Sequence, residues 1–154
     1  MEGIRYTQVR RDARGFTLIE LMVVIVIVAL LAALGYPSYG TFITKARRQA
    51  ARNVIYQLAD RQEQFFLDNK VYAANLTTMG FAADIIGVDD DGQITTSGDA
   101  DRTYLLDLTN TAATTYTVRA VPQLIQATND TDCMTLTLTH TGVRAQTGPG
   151  DNCW

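Results

Sequence analysis

The sequence holds few of the residues that enzymes and metal sites require. Of its 154 residues, one is histidine, two are cysteine and three are proline. A zinc site is disfavoured because there is no CxxC pair and no second histidine. His140 has no partner for a Ser-His-Asp arrangement, and no glycine-rich phosphate loop precedes a helical pattern. These absences argue against an enzyme and predict no catalytic residue, no bound metal and no cofactor.

A surplus of positive charge is also missing. The formal net charge is −3, and four arginines against two acids give the first fifteen residues +2, which leaves −5 for the remainder. General nucleic-acid binding requires excess Lys and Arg facing the phosphates, so the acidic remainder argues against it. Local basic patches stay open as an alternative. The candidates are Lys45, Arg48 and Arg52 on a helix, and Arg102, Arg119 and Arg144 in a region of strands.

Near the N-terminus, no charged residue occurs from Leu21 to Tyr36. Counted from Phe16, the apolar segment has about 21 residues and would be roughly 31 Å long as a helix, which is enough to span a bilayer. Basic residues before it indicate a cytoplasmic N-terminus, although an equal number of basic residues follows it. Three interpretations compete: a secretory signal cut near Ala33-Leu34-Gly35, a plain anchor, and a short leader followed by an assembly helix.

Glu20 helps to decide among these interpretations. A carboxylate beside an apolar run costs roughly 2.5 kcal/mol or more within a membrane, unless it is paired or lies at the headgroup level. The string Gly15-Phe16-Thr17-Leu18-Ile19-Glu20-Leu21-Met22, after a basic leader and before an apolar helix with Pro37, resembles the processing site of type IV pilins.

This resemblance implies a specific maturation and assembly. A prepilin peptidase would cut between Gly15 and Phe16 and methylate the new amine of Phe16, and Glu20 would pair with the amine of a neighbouring pilin subunit. The partners implied are other pilin subunits, the prepilin peptidase, the inner-membrane assembly machinery and, before assembly, membrane lipid. The implied location is the bacterial inner membrane, as a single-pass protein with its C-terminal domain in the periplasm, and then an extracellular pilus.

Beyond Pro37 a helical pattern continues. Apolar residues recur every four positions, at Phe42, Ala46, Ala50, Val54 and Leu58, with Phe65 one heptad later. Charged residues such as Arg48 take the other positions, which predicts an amphipathic helix to about Leu67. Pro37 removes one backbone hydrogen bond and is expected to kink the helix.

Residues 68–102 contain several glycines and little periodicity, so we expect a connecting region with at most short local structure. The Asp89-Asp90-Asp91-Gly92 cluster is typical of a turn. It does not fit an EF-hand, because Gly87 and Gly98 occupy ligand positions; an irregular calcium site is the alternative.

Strand patterns follow at 103–109, 114–121 and 134–140. In the third, Leu136 and Leu138 share the face expected to cover the helix, and His140 at its edge is expected to be structural. Cys133 and Cys153 are predicted to form a disulfide in an exported chain, with two buried thiols as the alternative.

The predicted fold is therefore α+β: a long N-terminal helix, transmembrane in its first half and amphipathic in its second, packed on an antiparallel sheet of three to four strands. A disulfide closes the C-terminal loop. The expected segments are the leader 1–15, the transmembrane and assembly helix 16–36, the amphipathic helix 37–67, the connecting region 68–102 and the sheet 103–154.

The end of the chain carries a second resemblance. Cys133-Met134-Thr135-Leu136-Thr137-Leu138, then Thr141-Gly142 and Cys153-Trp154, is similar to the C-terminus of PilE-like minor pilins. The resemblance implies a structural subunit, a minor pilin, that contributes to pilus biogenesis, adhesion or motility. The alternatives are a DNA-binding competence pilin and a type II secretion pseudopilin.

Overall fold

The computed structural model describes residues 15–154. The expected leader 1–15 therefore lies outside the described residues except for Gly15. One long helix, α1, runs from Leu18 to Asn69 and confirms the predicted N-terminal helix. The chain divides into two compact units at Ser38/Tyr39.

In the first unit, α1 begins with a side-chain cap. Thr17 precedes the helix, and its Oγ1 accepts a hydrogen bond of 3.2 Å from the backbone N–H of Glu20. Ser or Thr followed three residues later by Glu is the capping-box sequence, and a carboxylate in the first turn is favoured by the helix dipole. Within residues 15–154, no helix combines the length and the apolar character required to cross a membrane.

The second unit contains one antiparallel sheet of six strands in the order β2-β1-β3-β4-β5-β6. The strands are β1 Ile85–Val88, β2 Ile94–Thr96, β3 Tyr104–Ala112, β4 Thr115–Pro122, β5 Leu136–Thr139 and β6 Arg144–Gln146. A 3-10 turn at Thr77–Met79 precedes the sheet, and a short helix, α2, spans Leu124–Asn129.

The sheet has more strands than the three or four that the sequence predicts. The two N-terminal strands lie in the supposed connecting region, and β6 follows the last predicted strand. These added strands have only three or four residues, too few to show a periodic pattern. They form because longer neighbours supply their hydrogen bonds: β1 pairs with β3 and β6 pairs with β5.

The buried face of α1 matches the expected one at Val54 and Leu58 but differs from it earlier in the second unit. Phe42 is 67% exposed and Ala46 is exposed, whereas Arg48, expected on the solvent side, is buried. The buried positions are Thr44, Arg48, Ala51, Val54, Ile55, Leu58 and Gln62. An α-helix turns about 100° per residue, so residues spaced four apart are displaced by about 40° around the helix axis at each step. Spacings that mix three and four residues keep the side chains on the side that faces the sheet.

The core lies between this helix face and one face of the sheet. Leu58 and Ile55 of α1 and Leu106, Val118 and Leu136 of the central strands are fully buried in one cluster. Each such side chain contributes about 1.5–3 kcal/mol by leaving water. Leu136 and Leu138 are buried as predicted, and the backbone N–H of half-buried His140 donates to Tyr116 O at 3.0 Å.

The C-terminal loop is closed by the predicted disulfide. Cys133 and Cys153 are bonded, with Cα atoms 5.4 Å apart, and both residues are buried. The returning chain lies against the segment before β5, since Gly148 N donates to Cys133 O at 3.1 Å and Gly150 N to Asp132 O at 2.7 Å. A Cβ at Gly148 would collide with Asp132 O, so this close approach requires glycine.

Removing the disulfide should destabilise the fold. In the double variant Cys133→Ser/Cys153→Ser, the free energy of unfolding should fall by about 3 kcal/mol, because a loop of about 20 residues is no longer closed in the unfolded chain. Urea unfolding of the detergent-solubilised chain, followed by circular dichroism, measures this. The unsubstituted protein in reducing agent should lose the same amount of unfolding free energy as the double variant. An unchanged unfolding midpoint in the variant would contradict the expectation.

Candidate functional site

The predicted processing and assembly residues lie together at the start of α1. Gly15 has no atom within 4 Å of the position that a Cβ would occupy, and Phe16 is 84% exposed. Glu20 is exposed in the first helical turn, one turn after Thr17. On the described side of the predicted cut, the Phe16 side chain is therefore accessible, and the Glu20 side chain is exposed as well. Pro37 falls within α1, and its expected kink remains a prediction.

The apolar side chains that follow Glu20 are exposed as well. Among residues 16–31, the exposed fraction of the large apolar side chains runs from 50% for Val23 and Ile27 to 84% for Phe16. The exposed set is Phe16, Leu18, Ile19, Leu21, Met22, Val23, Val24, Ile25, Val26, Ile27, Val28, Leu30 and Leu31. A contiguous apolar surface of this kind marks a contact site for protein or lipid.

In the second unit, a buried cluster that we call the Arg48 clamp joins α1 to the C-terminal half of the chain. Arg48 Nε donates to Asp130 Oδ2 at 3.0 Å, and Nη2 donates to Asp130 Oδ1. A longer bond of 3.4 Å runs from Arg48 Nη1 to Asn152 O. The Asp130 side chain is fully buried. One guanidinium thus contacts the chain before each cysteine of the disulfide.

Two further side chains complete the Arg48 clamp. Tyr104 OH donates to Asp130 Oδ2 at 2.7 Å, and Gln126 Nε2 lies 3.1 Å from Thr44 O and 3.2 Å from Asp130 Oδ2. Burial, with the bond to Asp130, raises the pKa of Tyr104. Burial alone lowers the pKa of Arg48, but the bonds to Asp130 outweigh it and the net direction is upward. The sequence shows no local signal for this cluster.

A second polar cluster lies near the other end of the helix. Glu63 accepts hydrogen bonds at 3.1 Å from both Tyr72 OH and Tyr116 OH. Burial and the charge of Glu63 raise the pKa of Tyr116, and burial with the bond to Glu63 raises that of Tyr72. The ring of His140 lies 6.3 Å from both tyrosine rings, centre to centre. His140 therefore belongs to an aromatic packing cluster.

Two carboxylates of the acidic turn after β1, those of Asp89 and Asp90, have partners within the protein. Asp89 Oδ1 accepts from the backbone N–H of Asp91 at 3.0 Å and of Gln93 at 2.8 Å, and Asp90 is paired with Arg47 at 2.8 Å. Across the described residues, no group of three or more His, Cys, Asp or Glu side chains is arranged to hold a metal ion. The contacts present are those of a turn with one surface ion pair.

The last cluster places two adjacent aromatic rings between two arginines, and we call it the Arg–aromatic ladder: Arg52, Trp154, Tyr56 and Arg144. Arg52 lies over the Trp154 ring at 5.9 Å, and Arg144 lies over the Tyr56 ring at 5.6 Å. The two rings meet edge to face with centroids 6.3 Å apart. Two cations are thereby held on one surface formed by α1, β6 and the C-terminal segment. Both arginines are basic candidates in the sequence, but no local pattern places them beside each other.

Breaking the Arg48 clamp should cost far more than breaking an exposed pair. Asp130→Ala should lower the free energy of unfolding by about 3–5 kcal/mol, because the Arg48 guanidinium would stay buried without its carboxylate. Asp107→Ala, which removes the carboxylate that Arg119 contacts through Nε at 2.9 Å on a half-exposed strand surface, should cost about 1 kcal/mol or less. Chemical denaturation of both variants measures the difference, and equal losses would show that Asp130 makes no special contribution.

Comparison with known families matches both parts of the chain. Residues 10–36 match the family described as the prokaryotic N-terminal methylation motif. Residues 37–137 match the family described as type IV minor pilin ComP, DNA uptake sequence receptor. The resemblance to type IV minor pilins is thereby confirmed, and the matched family is ComP, whereas the tail resembles PilE-like proteins.

Individual relatives include pilins and a secretion pseudopilin. The chain is 36% identical over 69 residues to the type IV major pilin protein PilA of Myxococcus xanthus, covering 45% of this chain and 31% of that protein. It is 34% identical over 74 residues to the fimbrial protein EcpC of Eikenella corrodens, covering 48% of each. It is 43% identical over 63 residues to the type II secretion system core protein G of Klebsiella michiganensis, covering 41% and 44%.

The aligned part is thus between about a third and a half of the length of these relatives. The ComP match, by contrast, extends over well more than half of the present chain. It includes all of α1 after Pro37 and the sheet as far as Thr137 in β5. The chain therefore belongs to the type IV pilins, in the family described as type IV minor pilin ComP, DNA uptake sequence receptor.

Proposed function

We propose that this protein is a structural minor subunit of a type IV pilus, assembled through the first unit of its long helix. The observation that carries the proposal is the apolar surface of residues 16–31, on which every large side chain is at least half exposed in a single copy of the chain. Burying each Leu, Ile or Val against neighbours would contribute about 1.5–3 kcal/mol. A filament supplies such neighbours repeatedly, and the role needs no catalytic group.

Maturation prepares this surface for assembly. A prepilin peptidase cuts between Gly15 and Phe16, and the new amine of Phe16 is methylated. The open backbone at Gly15 and the exposed side chain of Phe16 support access for that enzyme. The new amine carries a positive charge a few residues from the Glu20 carboxylate, so each subunit presents one charge of each sign to its neighbours.

Charge compensation explains why an acid stands beside the apolar segment. A carboxylate removed from water is costly unless an opposite charge accompanies it, and a nearby ammonium removes most of that cost. Glu20 is exposed, and the capping contact at Thr17 uses the Glu20 backbone, so the carboxylate remains available. In the assembled pilus it pairs with the Phe16 amine of an adjacent subunit.

Before assembly, the subunit is held in the bacterial inner membrane by its first unit, with the second unit in the periplasm. The disulfide between Cys133 and Cys153 supports this side, because such bonds persist in oxidising compartments. The assembly machinery of the inner membrane then transfers the subunit into the extracellular pilus, where it contributes to pilus biogenesis, adhesion or motility. Assembly in a type II secretion pseudopilus is the alternative machine.

A second candidate function is that of a DNA receptor on the pilus. The matched family is described as a DNA uptake sequence receptor over residues 37–137. The Arg–aromatic ladder offers two arginines to solvent-side ligands on an otherwise acidic chain. The two functions are compatible, since a filament subunit can carry a binding surface on its second unit.

The mature chain should begin at Phe16. Sheared filaments, analysed by mass spectrometry of the N-terminal peptide, should yield N-methylated Phe16, because the peptidase cuts after Gly15. A Gly15→Glu variant should keep its leader and stay out of filaments. Mature filaments that contain chains with Met1 intact, or chains cut near Gly35, would refute the proposed maturation.

Glu20 should be required for assembly through its charge. Glu20→Ala and the isosteric Glu20→Gln should both be cleaved normally but reduce incorporation into sheared filaments at least tenfold, since neither can compensate the Phe16 amine. Asp68→Asn, which neutralises an exposed carboxylate of the same helix outside the first unit, should incorporate normally. Immunoblots of filament and membrane fractions measure both, and normal incorporation of Glu20→Gln would exclude the charge pairing.

A further inference from the structure

Most of the arginine side chains in the second unit already have oxygen acceptors. Arg47, Arg48 and Arg119 contact carboxylates, at Asp90, Asp130 and Asp107 respectively. Arg102 donates to the backbone carbonyl of Asp99. Arg52 and Arg144 instead lie over the aromatic rings of the ladder. Their positive charge is therefore not neutralised by any carboxylate contact within the described part of the chain.

Arg52 shows a particular need for an acceptor. Its Nε is buried, and no hydrogen-bond partner for this atom is found within residues 15–154. A buried donor without an acceptor is unfavourable, and more so when the group is charged. The Nε itself has almost no exposed surface, so an anion from solvent would pair with the Nη groups of the same guanidinium and compensate its charge there. The buried Nε atoms of Arg47 and Arg102 differ, because those side chains already contact Asp90 and Asp99.

The aromatic members hold the arginines in place. Trp154 Nε1 donates to Ala145 O at 3.1 Å, which fixes the indole against β6, and the adjacent Cys153 is held by the disulfide. A guanidinium lying over a ring still has N–H donors in its own plane, and these match the oxygens of a phosphate. The ladder thus presents two oriented cations whose side-chain entropy is already reduced.

We propose that the Arg–aromatic ladder is the surface on which this protein binds DNA, with Arg52 and Arg144 each contacting a backbone phosphate. This assignment rests on the DNA-receptor function proposed above. The overall acidity of the chain confines attraction for DNA to such a local patch, because the remaining surface repels phosphates. Tyr56 and Trp154 act as positioning residues that hold the two guanidinium groups.

Salt dependence tests the assignment directly. Fluorescence anisotropy of a labelled DNA duplex, with the full chain in neutral detergent and between about 50 and 200 mM salt, gives the slope of log K against log salt. Each phosphate contact contributes about 0.9 to that slope. The double variant Arg52→Ala/Arg144→Ala should therefore lower the magnitude of the slope by about 1.8. The single variant Arg144→Ala should lower it by about 0.9 without affecting the fold, because Arg144 is exposed.

Arg61→Ala is the matched control. Arg61 lies over the Phe81 ring at 5.9 Å, the same distance as Arg52 over Trp154, but it is nine residues further along α1 and so about 180° around the helix. The Arg61→Ala substitution removes the same charge from a similar aromatic contact. Its slope should stay close to that of the unsubstituted protein.

The single tryptophan supplies a second readout. Adding DNA should change the fluorescence of Trp154 in the unsubstituted protein and in Arg61→Ala, but not in Arg52→Ala/Arg144→Ala. If the unsubstituted protein binds DNA and the ladder variants keep its slope, the ladder assignment is overturned while the DNA-receptor function stands. If the unsubstituted protein binds no DNA at low salt, the receptor function itself fails. Tighter arginine-dependent binding to anionic lipid vesicles than to DNA would also overturn the assignment.

Discussion

The buried ion pair between Arg48 and Asp130 is the constraint on which the second unit depends. It joins two positions 82 residues apart in the chain and places a charged helix residue on the face that packs against the sheet. Two buried charges are tolerated only when geometry and further hydrogen bonds compensate their desolvation. Tyr104, Gln126 and the carbonyl of Asn152 provide those bonds.

This arrangement links the stability of the fold to its C-terminal surface. Arg48 contacts the chain just before Cys133 and just before Cys153, so the helix, the disulfide and the final tryptophan are held by one connected set of contacts. Trp154 in turn lies under Arg52, one helical turn after Arg48. The clamp pairs its cation with the Asp130 carboxylate, although Gln126 Oε1 has no hydrogen-bond partner among the described residues. The two cations of the ladder next to it have no carboxylate contact within residues 15–154. That difference separates a structural cluster from a binding surface.

The two units differ in how their apolar side chains are buried. The second unit buries a core of apolar residues within itself, between α1 and the sheet. Residues 16–31 of the first unit expose all of their large apolar side chains, and the Glu20 carboxylate lies in the first turn of the helix. Such a surface is stable only in contact with lipid or with other apolar helices. The assembly proposed above supplies both environments, first lipid and then neighbouring subunits, for the two unlike parts of this helix.

Local features of the fold could be predicted from the sequence. The string around Gly15 and Glu20, the long helix, three of the strands and the pairing of the two cysteines all depend on neighbouring residues, on spacing or on composition. The buried face of α1 was predicted only in part. The spacing of four residues at Phe42 and Ala46 is typical of a buried stripe, but the face that packs against the sheet lies at other positions around the helix. The short strands β1, β2 and β6 escaped prediction because their stability comes from the strands beside them.

By itself, then, the sequence determined the pilin class, the α+β architecture and the disulfide, since a contiguous motif and a few spacings carry that information. Only the tertiary structure decided the partners of individual side chains. Arg48 looks like a solvent residue until Asp130 is placed opposite it, and Arg52 meets Trp154 only after the chain has returned to α1. Contacts between residues 82 or more positions apart depend on how the helix packs on the sheet, and no local pattern encodes that packing.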